Sequence, residues 1–141
     1  MSTTTNHLRL FLRVFGLLTG LAVVAVFMPL SWMDACHRWL GLGPLPQGPI
    51  VEYLARSLSA FYVMFGMLCW LASTHVRRYA TLIAFLGWGG VIFAVVVFWV
   101  DSSAGLPLHW RAAEGPIVMT FSAILLVLRR RAMRGHGPGG A

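Results

Sequence analysis

The sequence predicts an all-α integral membrane protein, with four transmembrane helices, a short interfacial helix and both termini in the cytoplasm. Three observations lead there. Of 141 residues, 58% are hydrophobic and only 11% charged, with a mean hydropathy of +0.76. Soluble domains have roughly 45–50% apolar and about 25% charged residues. A chain this short forms one domain, here residues 1–141, whose interior is too small to hide so much apolar surface from water. Second, the apolar residues fall in long runs separated by Gly/Pro-containing breaks. Third, the basic residues cluster at the ends of those runs. A soluble enzyme, a disulfide-stapled secreted domain and a disordered tail protein are all excluded.

The first span covers about residues 8–30 and has no charge from Val14 to Leu30, a stretch of 17 residues. That exceeds the roughly 7–15 apolar residues of a signal peptide, and no Ala-x-Ala site follows, so the helix is expected to be retained. Gly16 and Gly20 form a GxxxG spacing that lets a neighbouring helix approach closely. Residues 31–40 are too few and too polar to cross. As a helix they put Trp32, Met33, Cys36, Trp39 and Leu40 on one side, and Asp34, His37 and Arg38 on the other. This pattern suits a helix lying in the headgroup layer. The stretch from Gly41 to Pro49 breaks regular structure.

The second span is placed at residues 49–74, with Pro49 in the first helical position. The third, 79–100, has 22 residues without a charge and is closed by Asp101. A polar loop carrying Gly105, Pro107, His109, Trp110 and Arg111 leads to Glu114-Gly115-Pro116. The fourth span is placed at 113–130. Its continuous apolar part, Pro116–Leu128, would be only about 20 Å long as a helix, against a hydrocarbon core of about 30 Å. Snorkelling by Arg129–Arg131 and extension before Pro116 allow a full crossing. The tail, 135–141, reads as disordered.

All 11 basic residues are arginines, set against four acids. A pI near 11.1 can signal nucleic-acid binding, but these arginines flank apolar runs and act as topology determinants instead. With the N-terminus inside, Arg9, Arg13, Arg77, Arg78, Arg129, Arg130, Arg131 and Arg134 are cytoplasmic, while only Arg38 and Arg111 lie outside. Asp34, Glu52, Asp101 and Glu114 fall on or near the outer side. Cys36 and Cys69 lack any framework spacing and are expected to be free thiols. Gln47-Gly-Pro-Ile-Val51 and Glu114-Gly-Pro-Ile-Val118 share four residues at the start of outside-to-inside spans, as a parallel repeat would. Duplication is the favoured reading over chance, although Gly-Pro is a common helix start and the similarity fades after Val118.

On the second span Glu52, Ala55, Ser59, Tyr62, Gly66, Cys69 and Ser73 recur at spacings of three and four. Such a small, polar seam suits a helix face turned toward protein. Glu52 and Arg56 form an i,i+4 pair in the favourable order. They are candidates for an intramembrane ligand site with Ser59 and Tyr62. A first-turn carboxylate and a snorkelling arginine explain the same pair without function. Asp101, His109 and Glu114 are the other ligand-binding candidates, as acid or base on an amphipathic substrate. His37, His109 and the outer carboxylates are suitable ligand types for a divalent ion. No HxxxH or HExxH spacing is present, so no metal or cofactor is expected. Asp101, Ser102 and His109 lack a nucleophile-elbow context for a hydrolase triad. Gly87–Gly90 is expected to pack against the Gly16/Gly20 face.

From Glu52 to Gly90 the chain runs acid-x-x-x-Arg, then small residues and Gly66, then Arg77-Arg78, then a glycine-containing apolar helix. In this layout it resembles the DoxX-like group of small bacterial four-helix membrane proteins, over about half of the chain. The resemblance implies a four-helix bundle in a bacterial inner membrane and carries over no site residue. The function expected is that of a non-enzymatic accessory or assembly subunit, in contact with lipid and with other membrane subunits or its own copies. The alternatives are a small carrier or lipid/quinone-binding protein using an outward-facing Glu52/Arg56 site, and an intramembrane enzyme.

Overall fold

The structure is a computed structural model that describes residues 3–134; the expected disordered tail lies outside them. Six helices follow in order: α1 Thr3–Gly20, α2 Val23–Phe27, α3 Leu30–Trp39, α4 Pro49–Thr74, α5 Ala80–Ser103 and α6 Leu108–Arg134. No strand occurs among the described residues. Four segments are long and apolar enough to cross a membrane: Thr3–Phe27, Pro49–Thr74, Ala80–Ser103 and Leu108–Arg134. Protein covers only 11% of the most apolar window in the first two and 22% in the last two. The remaining apolar surface needs lipid.

The first span carries a joint that its uninterrupted apolar run does not announce. Thr19 Oγ1 donates back to the Phe15 carbonyl at 3.0 Å, a bond that bends helices. After Gly20 the bonds tighten to Ala22 N–H on Thr19 O and Val24 N–H on Leu21 O. α2 then ends at Met28, held extended (ψ 135°) as the residue before a proline prefers. Pro29 caps the start of α3, its carbonyl accepting from Trp32 and Met33.

Two glycines stop helices by adopting a positive φ. Gly41 (φ 74°) follows α3, with its N–H on Arg38 O and that of Leu42 on His37 O. Gly105 (φ 69°) follows α5, with its N–H on Ser102 O and that of Leu106 on Asp101 O. Both are Schellman closures, which satisfy the last carbonyls of a helix.

The fourth span is longer than the sequence suggests. α6 begins at Leu108, so His109, Trp110, Arg111 and Glu114 are helical and not in a loop, and Pro116 lies inside the helix. Proline crowds the Cβ of the residue before it, and here that residue is Gly115, which has none. The second Gly-Pro therefore sits mid-helix, whereas the first opens α4, so the two do not occupy equivalent positions.

The chain divides into two compact units, one of the residues up to Val14 with those from Cys69 onward, the other Phe15–Leu68. In the first, α5 and α6 pack as an antiparallel pair. A Cβ at Gly87 would fall 2.6 Å from Leu126, one at Gly115 3.0 Å from Phe98, and one at Gly90 would strike Ser122. The glycine cluster of α5 thus packs on α6, not on Gly16/Gly20. Leu8, Leu12, Cys69, Ala72, Ser73, Val76 and Ile83 are the most deeply buried residues of this unit.

In the second unit the partner of Gly16 and Gly20 is Gly66 of α4. A Cβ there would lie 2.6 Å from Gly16 O and 2.9 Å from Gly20 N, and Phe15 meets Phe65 edge-on at 6.0 Å. All seven residues of the α4 seam are buried or half-buried, while Tyr53, Leu54, Leu58, Phe61, Met64, Met67 and Trp70 are exposed. Gly66→Ala meets backbone that cannot rotate away and is expected to lower stability by about 1–3 kcal/mol. Gly89→Ala, where nothing lies within 4 Å, leaves stability unchanged or slightly raised. Thermal unfolding of both variants in detergent tests the pair.

Candidate functional site

The candidate residues divide between the two units: Glu52, Arg56, Ser59 and Tyr62 belong to one, Asp101, His109 and Glu114 to the other.

Arg56 does more than pair with Glu52. Its Nε donates to Glu52 Oε1 at 3.0 Å, while Nη1 and Nη2 donate to the carbonyls of Val26 and Met28. Those carbonyls stand where α2 stops before Pro29. Pro29 brings no N–H to continue the helix, so the end of α2 is left with orphan acceptors. In an apolar medium each would cost several kcal/mol. A guanidinium with its donors fanned in one plane can serve two carbonyls and a carboxylate together. Glu52 balances the charge from the first turn of α4. Ser59, on the same face, donates to Ala55 O at 2.8 Å, and Tyr62 is half-buried. The geometry accounts for Arg56 as the cap of a broken helix and assigns it no snorkelling to the surface.

Beyond the break, α3 and its following loop form a hydrogen-bonded cluster. Asp34 accepts from Arg38 Nε at 2.8 Å and from the Leu45 N–H at 2.7 Å. His37 Nδ1 meets Gly43 O at 2.9 Å. One carboxylate thereby pins a helix to a loop 11 residues onward. The Arg38 hydrogen bond, and then the Leu45 N–H, hold the Asp34 carboxyl below its ordinary value of 3.8. Cys36 is free and exposed, and Cys69 free and buried.

In the other unit, Asp101 occupies the last turn of α5 and is only 5% exposed. Its Oδ2 is buried with no hydrogen-bond partner. Glu114 of α6 lies near enough to feel the Asp101 charge, with the Trp110 side chain in hydrogen-bonding reach. Antiparallel packing of α5 and α6, closed by the Gly105 turn, puts the two acids at the same end of the pair although they are 13 positions apart in the sequence. A shallow groove of about 350 Å³ along α6 is lined by Trp110, Ala113, Glu114, Ile117 and Val118. Arg111 Nε is also buried without a partner, and neither acid is ion-paired with an arginine among the described residues. His109 is exposed in the first turn of α6.

Sequence reasoning placed Trp110 in a loop and missed it as a site residue. Its spacing of four from Glu114 was the available signal, readable only once α6 is known to start at Leu108. No group of three or more His, Cys, Asp or Glu side chains placed to hold a metal occurs among the described residues.

Arg56→Ala should cost about 2–4 kcal/mol by orphaning two carbonyls and Glu52, whereas Arg56→Lys, with one point donor in place of a fork, recovers only part. Denaturation of the two variants in detergent reads the order. For Asp34, a carboxyl lowered in the folded state stabilises above its unfolded value, and that contribution is lost as pH falls through the lowered value. The melting-temperature advantage of the wild type over Asp34→Asn should therefore be constant near neutrality and shrink below about pH 4. A gap independent of pH would overturn this assignment.

No family model, curated protein or solved structure matches this chain.

Proposed function

We propose that this is a non-enzymatic, multi-pass membrane protein acting as an accessory or assembly subunit of a membrane complex. One observation carries the reading: serine and threonine hydroxyls along the long helices bond to the backbone of their own helix. Ser59 donates to Ala55 O, Ser73 to Trp70 O, Thr74 to Leu71 O, Ser102 to Phe98 O, Ser103 to Trp99 O and Thr120 to Pro116 O. Side chains committed in this way are poor material for an acid–base or nucleophilic constellation. Outward-facing Phe61, Met67, Phe85, Trp88, Ile92 and Trp99 offer apolar surface to lipid and to neighbouring helices.

Eight arginines clustered at alternate ends of the four spans favour both termini in the cytoplasm of a bacterial inner membrane. This topology puts α3, with exposed Trp32 and Trp39, in the opposite headgroup layer. A DoxX-like membership agrees with the same layout. The lipid- or quinone-binding alternative would require Arg56 to release the Val26 and Met28 carbonyls for a ligand, which makes it the costlier use of that residue.

Chemical crosslinking in native membranes, followed by purification in mild detergent, tests the proposal. The expected product is a defined species containing a second membrane subunit or a second copy of this chain. A monomer alone in both preparations would overturn it.

A further inference from the structure

We propose that Arg130, Arg131 and Arg134 bind the headgroup phosphate of a net-anionic phospholipid whose acyl chains lie along the exposed face of α6. The site uses residues of one unit only. It depends neither on the accessory role nor on which side of the membrane α6 ends.

Helical phase sets these three arginines apart from their neighbour. Successive residues of a helix are turned by about 100°, so Arg130, Arg134 and Arg131 fall within an arc of about 100° on one side of α6. All three are exposed. Leu125 and Ala132, at 4% and 2% exposed, mark the opposite side. Arg129 turns inward instead: it is half-buried, and its Nε donates to the Ala80 carbonyl at 2.8 Å. That bond fixes the end of α6 against the start of α5, so Arg77 and Arg78, exposed in the turn before Ala80, stand at the same end.

No carboxylate of this unit is placed to offset these charges. Of the four acids of the chain, Asp34 and Glu52 belong to the other unit and are each paired with an arginine there. Asp101 and Glu114 lie toward the opposite end of the α5/α6 pair. His75, in the same turn as Arg77 and Arg78, can only add positive charge. Arg130, Arg131 and Arg134 have no hydrogen bond or ion pair among the described residues, and like charges one turn apart on a helix repel. An anion relieves that repulsion, and the guanidinium fork matches phosphate.

The surface beneath the arginines selects a lipid as the source of the phosphate. At spacings of three and four the same arc continues along α6 through Val127, Ile124 and Ala123, all exposed, the first two at 45% and 40%. The arginines begin directly after Leu128, where the apolar run ends, which is the depth at which acyl chains give way to phosphates. A soluble acidic partner would cover the arginines and leave the apolar stripe bare; a phospholipid covers both. A zwitterionic headgroup would bring its ammonium among guanidiniums with no carboxylate to receive it, so the net-anionic headgroup is preferred.

The test titrates the full chain in a non-ionic detergent with dioleoylphosphatidylglycerol, dioleoylphosphatidylcholine and glycerophosphoglycerol, counting bound molecules by native mass spectrometry. Phosphatidylglycerol is expected to bind at least about fivefold more tightly than phosphatidylcholine, with an advantage that shrinks as salt is raised. Arg130→Gln, Arg131→Gln and Arg134→Gln should each weaken phosphatidylglycerol binding about fivefold, and the triple variant should bind the two lipids alike. Arg38→Gln removes the same charge from the other unit and should leave the preference intact. If the triple variant does not insert, the single variants decide. Equal binding of the two lipids by the wild type, equal binding of glycerophosphoglycerol, or single variants indistinguishable from Arg38→Gln would each overturn the proposal.

Discussion

The structure depends on one constraint: in a medium without water, every backbone carbonyl and N–H must find a partner within the protein. A continuous helix meets this by itself, so the informative places are those where helices stop. At the break before Pro29 the solution is a charged side chain from another helix, Arg56. After α3 and α5 it is a glycine closure that returns the last carbonyls to the chain. At Pro116 the missing N–H is accepted within a helix that continues on both sides. An arginine within a span is then inexpensive, because its donors satisfy acceptors that would otherwise be stranded.

The same medium changes what holds helices together. Lipid tails compete with apolar side chains on equal terms, so close approach and dispersion replace hydrophobic burial as the source of specificity. That is why glycine marks the contacts: Gly66 on Gly16 and Gly20 in one unit, and Gly87, Gly90 and Gly115 at the α5/α6 interface in the other. Many of the largest side chains, such as Phe61, Met67, Phe85 and Trp99, sit instead on the exposed faces of α4 and α5.

Much of this was legible from residue order. The four spans, the helix at Leu30–Trp39 and the protein-facing seam from Glu52 to Ser73 follow from run length and three-four periodicity, and the start of α4 from proline's preference for a first helical turn. What escaped was pairing. A GxxxG spacing says that something packs closely without saying what, and Gly16/Gly20 met Gly66 where Gly87–Gly90 was expected. Arg56 read as a partner of Glu52 because i,i+4 spacing is visible in a sequence; a bond to a carbonyl 30 residues away is not. The start of α6 was hidden because Glu-Gly-Pro is a strong helix-start signal, whereas the helix begins at Leu108 and Gly115 lies within it, close against Ala94 and Phe98.

The four acids show how environment separates identical chemistry. Asp34 and Glu52 each have an arginine one turn later on the same helix, and each pair serves a structural purpose, pinning a loop in one case and balancing a helix cap in the other. Asp101 and Glu114 have no such neighbour at that spacing: the residue four positions after Asp101 is Gly105, and that after Glu114 is Val118. Folding then puts them at the same end of the α5/α6 pair and withdraws Asp101 almost completely from solvent. A hydrophobic residue at position 101 would pack there without the desolvation cost. Burial without an arginine one turn later therefore sets Asp101 apart from Asp34 and Glu52, whose carboxylates each accept from such an arginine.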